Sequence, residues 1–525
     1  MPLWFREELE MTWKAELDEI NGRKAIAQKM GGEEKVKKHK AAGRLTVRER
    51  IEALADKGSF QEIGSITGFT TYDDDGNLSS YIPSNMIMGR ARLDNRPVVL
   101  VADDFTIRGG ANDGAVTEKL AHAERMSHDL LLPMIRLVDG TGGGGSVKNI
   151  ETKGHTLLPM MREWQLVAQN LTLVPVVGMA LGSVAGKGAA RVAASHYSVM
   201  VRDTSQLFNA GPPVVARIGQ PIGKNELGGS HIHTRNGVVD DEVSSEMEAF
   251  ERVRKFLSYL PRSVMELPGR TEPTDDPARK EESLLAAIPR DTRKVYKIRP
   301  ILEAVLDKNS FFEIGKNWGK GIVCGLARLD GWPVVVIASN PFHYGGVWDK
   351  ATTDKFIRIV DIAEIFHLPV VNFIDIPGFQ IGLEAEQSGV MRSGVRALSA
   401  LYQTTVPWCT MIIRKAYGVA AAGHQHQGRY ALRYAWPSAN WGSLPIEGGL
   451  EAAYKSEIQG SEDPQATLAE IEQRLRNLSS PVRSAEAFVI EEIIDPRDTR
   501  QILCDFVNLV APLRTTGVTA FRYRP

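Results

Sequence analysis

In LARLDGWPVVVIAS (326–339) the apolar positions fall into two short runs interrupted by Asp330-Gly331, the signature of two strands joined by a tight turn. The next periodic segment, TDKFIRIVDIAEIFH (353–367), has apolar residues at helical spacing and places Thr353 as an N-cap. VVNFID (370–375) follows as a short β-branched run of the kind expected for a buried parallel strand. TMIIRKAYGVAAAG (410–423) then passes from strand directly into a helix start rich in glycine and alanine. Alternating strand and helix of this kind bury a sheet between helices, so the predicted class is α/β.

The same pattern occurs earlier in the chain. GRARLDNRPVVLVADD (89–104) matches GLARLDGWPVVVIASN (325–340), and TEKLAHAERMSHDLLLPMIRLVDG (117–140) matches TDKFIRIVDIAEIFHLPVVNFIDI (353–376). Gly89 to Gly325, Thr117 to Thr353, Pro133 to Pro369 and Asp139 to Asp375 are each separated by 236 residues. LVPVVGMALGSVAGKGAA (173–190) and TVPWCTMIIRKAYGVAAAG (405–423) match at an offset of 232, and SFQEIG (59–64) and SFFEIG (310–315) at 251. Four ordered matches at nearly constant spacing indicate a duplicated domain. The expected halves are residues 1–285 and 286–525, with the proline- and charge-rich ELPGRTEPTDDPARKEES (266–283) as linker. The charged stretch to about residue 40 is expected to form helices on the outside.

Duplication bears on LVDGTGGGGSV (137–147), where Gly140, Gly142 and Gly145 satisfy G-x-G-x-x-G. A dinucleotide fingerprint should follow the first strand of its domain and open a helix. This stretch follows a hairpin and a long helix, and its counterpart DIPGFQIG (375–382) lacks the pattern. The glycines read instead as a wall that lets a ligand approach the backbone. GSVAGKGAA (182–190) and KAYGVAAAG (415–423) each place small residues where a helix begins. First-turn N–H groups there are unsatisfied donors at the positive end of the helix dipole, which is how an oxyanion hole is built. Tight packing of a helix on the sheet is the alternative explanation of the small residues.

Composition narrows the partners. Sixty-three basic residues against 64 acidic ones leave no electrostatic footprint for nucleic acid or an anionic membrane. Cys324, Cys409 and Cys504 are too far apart for a disulfide framework or a zinc site and are expected to be buried thiols. No window has the eighteen or more apolar residues that span a bilayer, and the N-terminus has no import signal, so a cytoplasmic location is expected.

On GRLTVRERIEALADKGSFQEIG (43–64), DFTIRGG (104–110), ELGGSHIHTRNGVVD (226–240), LSYLP (257–261), DIPGF (375–379), RKAYGVA (414–420), AWP (435–437) and EEIIDPRDTR (491–500), the chain resembles carboxyltransferase β subunits of biotin-dependent acyl-CoA carboxylases and their decarboxylase and transcarboxylase relatives. The resemblance covers nearly the whole chain. It implies two crotonase-like domains of ββα superhelical type, and a hexameric core with an active site between domains of different subunits. It also implies biotin as cofactor, carried by a separate biotin carboxylase/biotin carrier (α) subunit because no Met-Lys-Met biotinyl site occurs here. Carboxybiotin would deliver CO2 to the enolate of an acyl-CoA thioester. Two oxyanions form in such a reaction, which matches two sets of aimed amides without a side-chain acid–base pair.

By position, the resemblance carries Gly186, Lys187 and Gly188 onto the hole for the thioester, and Gly418, Val419 and Ala420 onto that for the biotin ureido oxygen. Gly142, Gly143, Pro377, Gly378 and Phe379 would border the cleft, and Ala421 and Ala422 would leave room for an acyl group larger than propionyl. Arg44 and Arg48 are candidates for the adenine or its 3′-phosphate, with surface ion pairs as the alternative. Three departures put substrate choice in question: Lys187 replaces a glycine, DGTGGGGSV replaces an arginine-containing loop, and SLPIEGG (443–449) replaces a VMGAEGA-like segment. His424 and His426 diverge and lack the further ligands of a metal site, so no metal is expected. His231 and His233 read as loop hydrogen-bonders. A transcarboxylase or the carboxyltransferase of an acyl-CoA decarboxylase remains open. So does a biotin-independent hydratase or isomerase, for which Glu384 and Glu386 are the nearest carboxylates, and so does a non-catalytic scaffold.

Overall fold

The computed structural model describes residues 12–520 except 141, 143–146, 148–149, 152–153, 157, 159, 427, 429 and 431; the side chains of Asp113, Glu447 and Glu451 are also outside the description. The chain forms two compact units. One comprises residues up to Thr234 with Asp241–Arg254, and the other Arg235–Asp240 with Lys255–Arg524.

The first unit is built on a sheet whose strands lie in chain order: β1 (Gln61–Ile63), β2 (Met86–Leu93), β3 (Arg96–Asp103), β4 (Met134–Val138), β5 (Val176–Ala180), β6 (Tyr197–Val201) and β7 (Asp241–Val243). The first three pair antiparallel and the rest parallel. Val98 to Ala102 of β3 are fully buried, as expected for a strand covered on both faces, where the apolar run is continuous rather than alternating. The helices that matter for the site are α1 (Val47–Leu54), α2 (Thr117–Leu130) and α3 (Lys187–Ala193). Thr46 and Glu49 form a capping box that starts α1.

The second unit repeats this plan with β8 (Phe312–Glu313), β9 (Ile322–Leu329), β10 (Trp332–Ser339), β11 (Val370–Ile376), β12 (Trp408–Tyr417), β13 (Leu432–Ala435), β14 (Asn440–Gly442) and β15 (Glu492–Ile493). Its helices include α4 (Ile298–Val305), α5 (Lys350–Ile365), α6 (Gly418–Ala421) and α7 (Thr499–Val510). Val334, Val336, Phe373, Met411, Leu503 and Val507 belong to its buried core. Helix α5 corrects one expectation. Asp349, whose carboxylate accepts from Thr352 N–H at 2.7 Å, is the N-cap, so the helix begins before Thr353. An aspartate side chain in reach of a first-turn amide outcompetes the later threonine. The stretch 266–283 packs into this unit: Arg279 donates to the Ala304 and Leu306 carbonyls at 2.8 and 3.1 Å.

The repeat extends to single contacts. Asp56 accepts from Asp94 and Asn95 N–H at 3.0 and 2.8 Å, and Asp307 accepts from Asp330 and Gly331 N–H at 3.1 and 2.9 Å. Buried Lys119 donates to the Gly64 carbonyl and buried Lys355 to that of Gly315, both at 2.9 Å. Arg48 pairs with Glu62 as Arg299 does with Glu313.

Candidate active site

In the first unit, β4 is followed by Asp139, which is fully buried. Arg50 Nη1 holds its carboxylate at 2.9 Å and is itself fixed by Glu246 and the Leu181 carbonyl, each at 2.8 Å. The turn that follows β5 lies directly on this carboxylate. A Cβ on Gly182 would stand 2.0 Å from Asp139 Oδ1, so only glycine fits. Gly110 and Gly140 are equally constrained: a Cβ on either would lie 2.3 Å from a backbone oxygen of the facing loop. Thus Gly140 brings two main chains together rather than cradling a diphosphate.

Gly186 follows with φ 57°, a conformation favourable to glycine alone, and opens α3. Its N–H donates to the Phe208 carbonyl at 3.1 Å, so Gly186 supplies the bend and not a donor, contrary to its expected place in the hole. The first bond closing α3 is Ala190 N–H to the Gly186 carbonyl, at 3.0 Å. The Lys187 and Gly188 amides precede it and have no partner among the described residues. Lys187, Gly188, Gly140 and Gly142 line a cavity of about 200 Å³ with Asp103 and Arg191. The Lys187 ammonium sits on Glu163, a carboxylate only 1% exposed. Gly143 lies outside the described residues.

The second unit places Asp375 where the first has Asp139. Asp375 is fully buried and takes hydrogen bonds from Arg414 and the Tyr296 hydroxyl, each at 2.9 Å, and from Lys415 N–H at 3.1 Å. Burial beside this carboxylate pushes the Tyr296 phenol well above its ordinary range. β12 then runs into Gly418, at φ 64°, and α6. Val419 is exposed, Ala420 is fully buried, and the amides of both lack partners among the described residues. Gly418, Ala421 and Ala422 line a cavity of about 230 Å³ with His424, Arg433 and Trp441. Pro377 lines a different cavity, of about 690 Å³, with Lys415 and Tyr417. Gly378 and Phe379 brace this edge: the Gly378 carbonyl accepts from Trp348 N–H at 3.1 Å, and the Phe379 ring meets Trp348 edge-on.

The arginines expected at the adenine are engaged elsewhere. Arg48 pairs with Glu62 at 3.0 Å, and Arg44 lies over the Phe105 ring, 3.9 Å from Asp139 Oδ1. Arg44 precedes α1 rather than sharing its face with Arg48, so the two form no joint grip. His233 is hydrogen-bonded to the Leu207 carbonyl at 2.7 Å and burial lowers its pKa; His231 is exposed. The His426 ring packs on Tyr402, and Glu384 and Glu386 are exposed on a short helix. Among the described residues no group of three or more His, Cys, Asp or Glu could hold a metal, and all three cysteines are buried and free. Sequence reasoning missed Glu163, Arg191 and Tyr296. Only the spacing of Lys187 and Arg191, one helical turn apart, offered a signal.

The repeated α/β units, each with a glycine turn at a helix start, have the crotonase-like fold. The sequence matches the family described as Carboxyl transferase domain over residues 38–516, and the chain belongs to it. It is 32% identical over 512 residues to the propionyl-CoA carboxylase carboxyltransferase subunit of Haloferax mediterranei, covering 96% of each chain. It is 30% identical over 505 residues to the mitochondrial propionyl-CoA carboxylase beta chain of Rattus norvegicus, covering 94% of this chain and 90% of that one. The crystal structure of transcarboxylase 12S, a hexamer with methylmalonyl-coenzyme A and methylmalonic acid bound, superposes with a TM-score of 0.87 at 25% identity over 98% of both chains. A single-chain long-chain acyl-CoA carboxylase shares the fold, with a TM-score of 0.79 at 24% identity over 94% of this chain and 49% of that one. The chain is an acyl-CoA carboxyltransferase of the propionyl-CoA carboxylase type. Among the described residues, no helix is long and apolar enough to cross a membrane.

Proposed function

We propose that this chain moves a carboxyl group from carboxybiotin, borne by a separate biotin carrier or biotin carboxylase chain, to the α-carbon of an acyl-CoA within a homo-hexameric core in the cytoplasm. The observation that carries the proposal is the pair of main-chain donor turns, one in each unit, each backed by a buried aspartate. In the first unit the Lys187 and Gly188 amides would hold the thioester oxygen as it gains negative charge. In the second, the Val419 and Ala420 amides would hold the ureido oxygen of biotin.

The cavity beside α6 is lined by Gly418, Ala421, Ala422 and His424. His424 Nδ1 lies 2.7 Å from the Ala421 carbonyl, an acceptor, so Nδ1 bears the proton. Burial lowers the His424 pKa and keeps the ring neutral, leaving Nε2 as an acceptor with no partner among the described residues. Carboxybiotin, when bound, supplies the CO2 and the base. The chain's own contribution is to fix both oxygens without reorganisation, and each donor is worth about two to three powers of ten in rate.

The test is 14C-bicarbonate fixation across a panel of acyl-CoAs, with a competent biotinylated partner and its biotin carboxylase supplied. Label should enter at least one thioester. Absence of label from every thioester in the panel refutes the carboxylase direction. Label exchange between two acyl-CoAs without bicarbonate would point instead to transcarboxylation.

A further inference from the structure

We propose that the second unit carries a further ligand site, a cavity for an aliphatic carboxylic acid whose chain lies against α7 and the start of β12 and whose carboxylate meets Arg514. The site is separate from the transfer reaction, at the opposite end of β12 from the α6 turn. The cavity, of about 680 Å³, is lined by Val406, Trp408, Leu432, Phe506 and Val510. That size falls within the roughly 300–1,000 Å³ of pockets that enclose small ligands. Trp408 and Leu432 open β12 and β13, and Phe506 and Val510 lie on α7. β12 runs on to Tyr417, so about 30 Å of strand separates Trp408 from the turn at Gly418.

Two features of the wall define the ligand. The first is apolar surface left uncovered. α7 buries Leu503 and Val507 in the core, yet Leu509 and Leu513, which also line the cavity, are exposed. Leucines exposed beside an apolar cavity offer surface for a hydrocarbon chain to cover. The second is Arg514, which lines the same cavity. Arg279, Arg414 and Arg500 of this unit each pair with an aspartate. Arg514 has no carboxylate partner among the described residues, and burial lowers its pKa with no acidic group to raise it. Its guanidinium is held over Trp332, 4.9 Å from the ring centroid. Nε and Nη1 reach the Ala511 and Pro268 carbonyls only at 3.3 and 3.4 Å, and Nη2 has no partner among the described residues and is open to solvent. A carboxylate there would gain a charge-assisted hydrogen bond that a neutral head group cannot match. No Asp or Glu lines the cavity among the described residues. Buried Glu364 stands behind the lining residue Thr405, taking its N–H and hydroxyl at 2.7 and 2.9 Å.

Calorimetric titration of the full-length protein in its native assembly, with decanoate and 1-decanol below their aggregation limits, tests the site. The two probes share a chain and differ in the head group. Decanoate should bind at least tenfold more tightly than the alcohol. Arg514→Met should bring that preference below threefold. Leu513→Glu, a substitution at an exposed position, should weaken decanoate at least tenfold and does not depend on the folding of the first variant. An excess of propionyl-CoA should leave the decanoate affinity unchanged. Absence of decanoate binding, as when a second chain covers the cavity in the assembly, overturns the proposal. So do equal affinities for the two probes, displacement of decanoate by propionyl-CoA, or wild-type behaviour of both variants. Binding is read without turnover, so failure of label transfer would refute the carboxyltransferase direction and leave this site standing.

Discussion

Replacing Gly182 with alanine tests whether the buried aspartate fixes the donor turn. The new Cβ would stand 2.0 Å from Asp139 Oδ1, 2.4 Å from Cγ and 2.6 Å from Oδ2, all well inside contact distance. The carboxylate cannot swing away cheaply, because Arg50 holds it at 2.9 Å and Glu246 and the Leu181 carbonyl hold Arg50. If only the turn yields, overpacking costs about 1–3 kcal/mol. If the ion pair opens, the uncompensated charge brings the loss to about 3–5 kcal/mol. Either movement carries the Lys187 and Gly188 amides with it, and a shift of about 1 Å at a catalytic group costs about a hundredfold in rate. Thermal denaturation and kcat for transfer should therefore both fall, with Tm lower by about 2–4 °C per kcal/mol in a unit of this size. A folded Gly182→Ala protein with unchanged Tm and unchanged kcat would refute the coupling.

Ala420→Pro deletes the N–H proposed for the ureido oxygen and should lower transfer by about two to three powers of ten while the oligomeric state, read by light scattering, is unchanged. Asp375→Asn leaves buried Arg414 without its counter-charge and should destabilise by about 3–5 kcal/mol in urea denaturation; a value under 1 kcal/mol would count against the anchor. Lys119 is buried, which lowers its pKa to about 8, below its unfolded value of about 10.5. The unfolded chain thus binds more protons between those values, and stability should rise by up to about 3 kcal/mol from pH 8 to pH 10.5. Comparison with Lys119→Met isolates this slope, and identical slopes in the two proteins would exclude Lys119 as its source.

The duplicated architecture was legible because it is written locally. Asp-Gly and Asp-Asn turns, continuous apolar strands and two helix starts of small residues recur at fixed offsets. The two glycine-containing helix starts, at Gly186 and Gly418, were legible for the same reason. The chemistry behind them was less so, because it depends on residues that meet only after folding. Arg50 reaches Glu246 across 196 positions of chain, and Glu163 reaches Lys187 from a segment with no motif. Arg44 and Arg48 were candidates for the adenine, yet α1 begins at Val47, so their four-residue spacing spans a helix boundary. Gly186 looked like a donor, yet its N–H is taken by Phe208, a pairing fixed by the parallel ladder between Ser183–Ala185 and Gln206–Phe208.

The aspartate clasp on each hairpin, Asp56 on Asp94 and Asn95 and Asp307 on Asp330 and Gly331, makes the molecule its own internal control. A substitution at Asp56 removes one clasp, and the twin at Asp307 then serves as reference in the same polypeptide, under identical solvent, concentration and temperature. Amide hydrogen exchange at Asp94 and Asn95, compared with that at Asp330 and Gly331, would then report how far each half opens independently of its sibling.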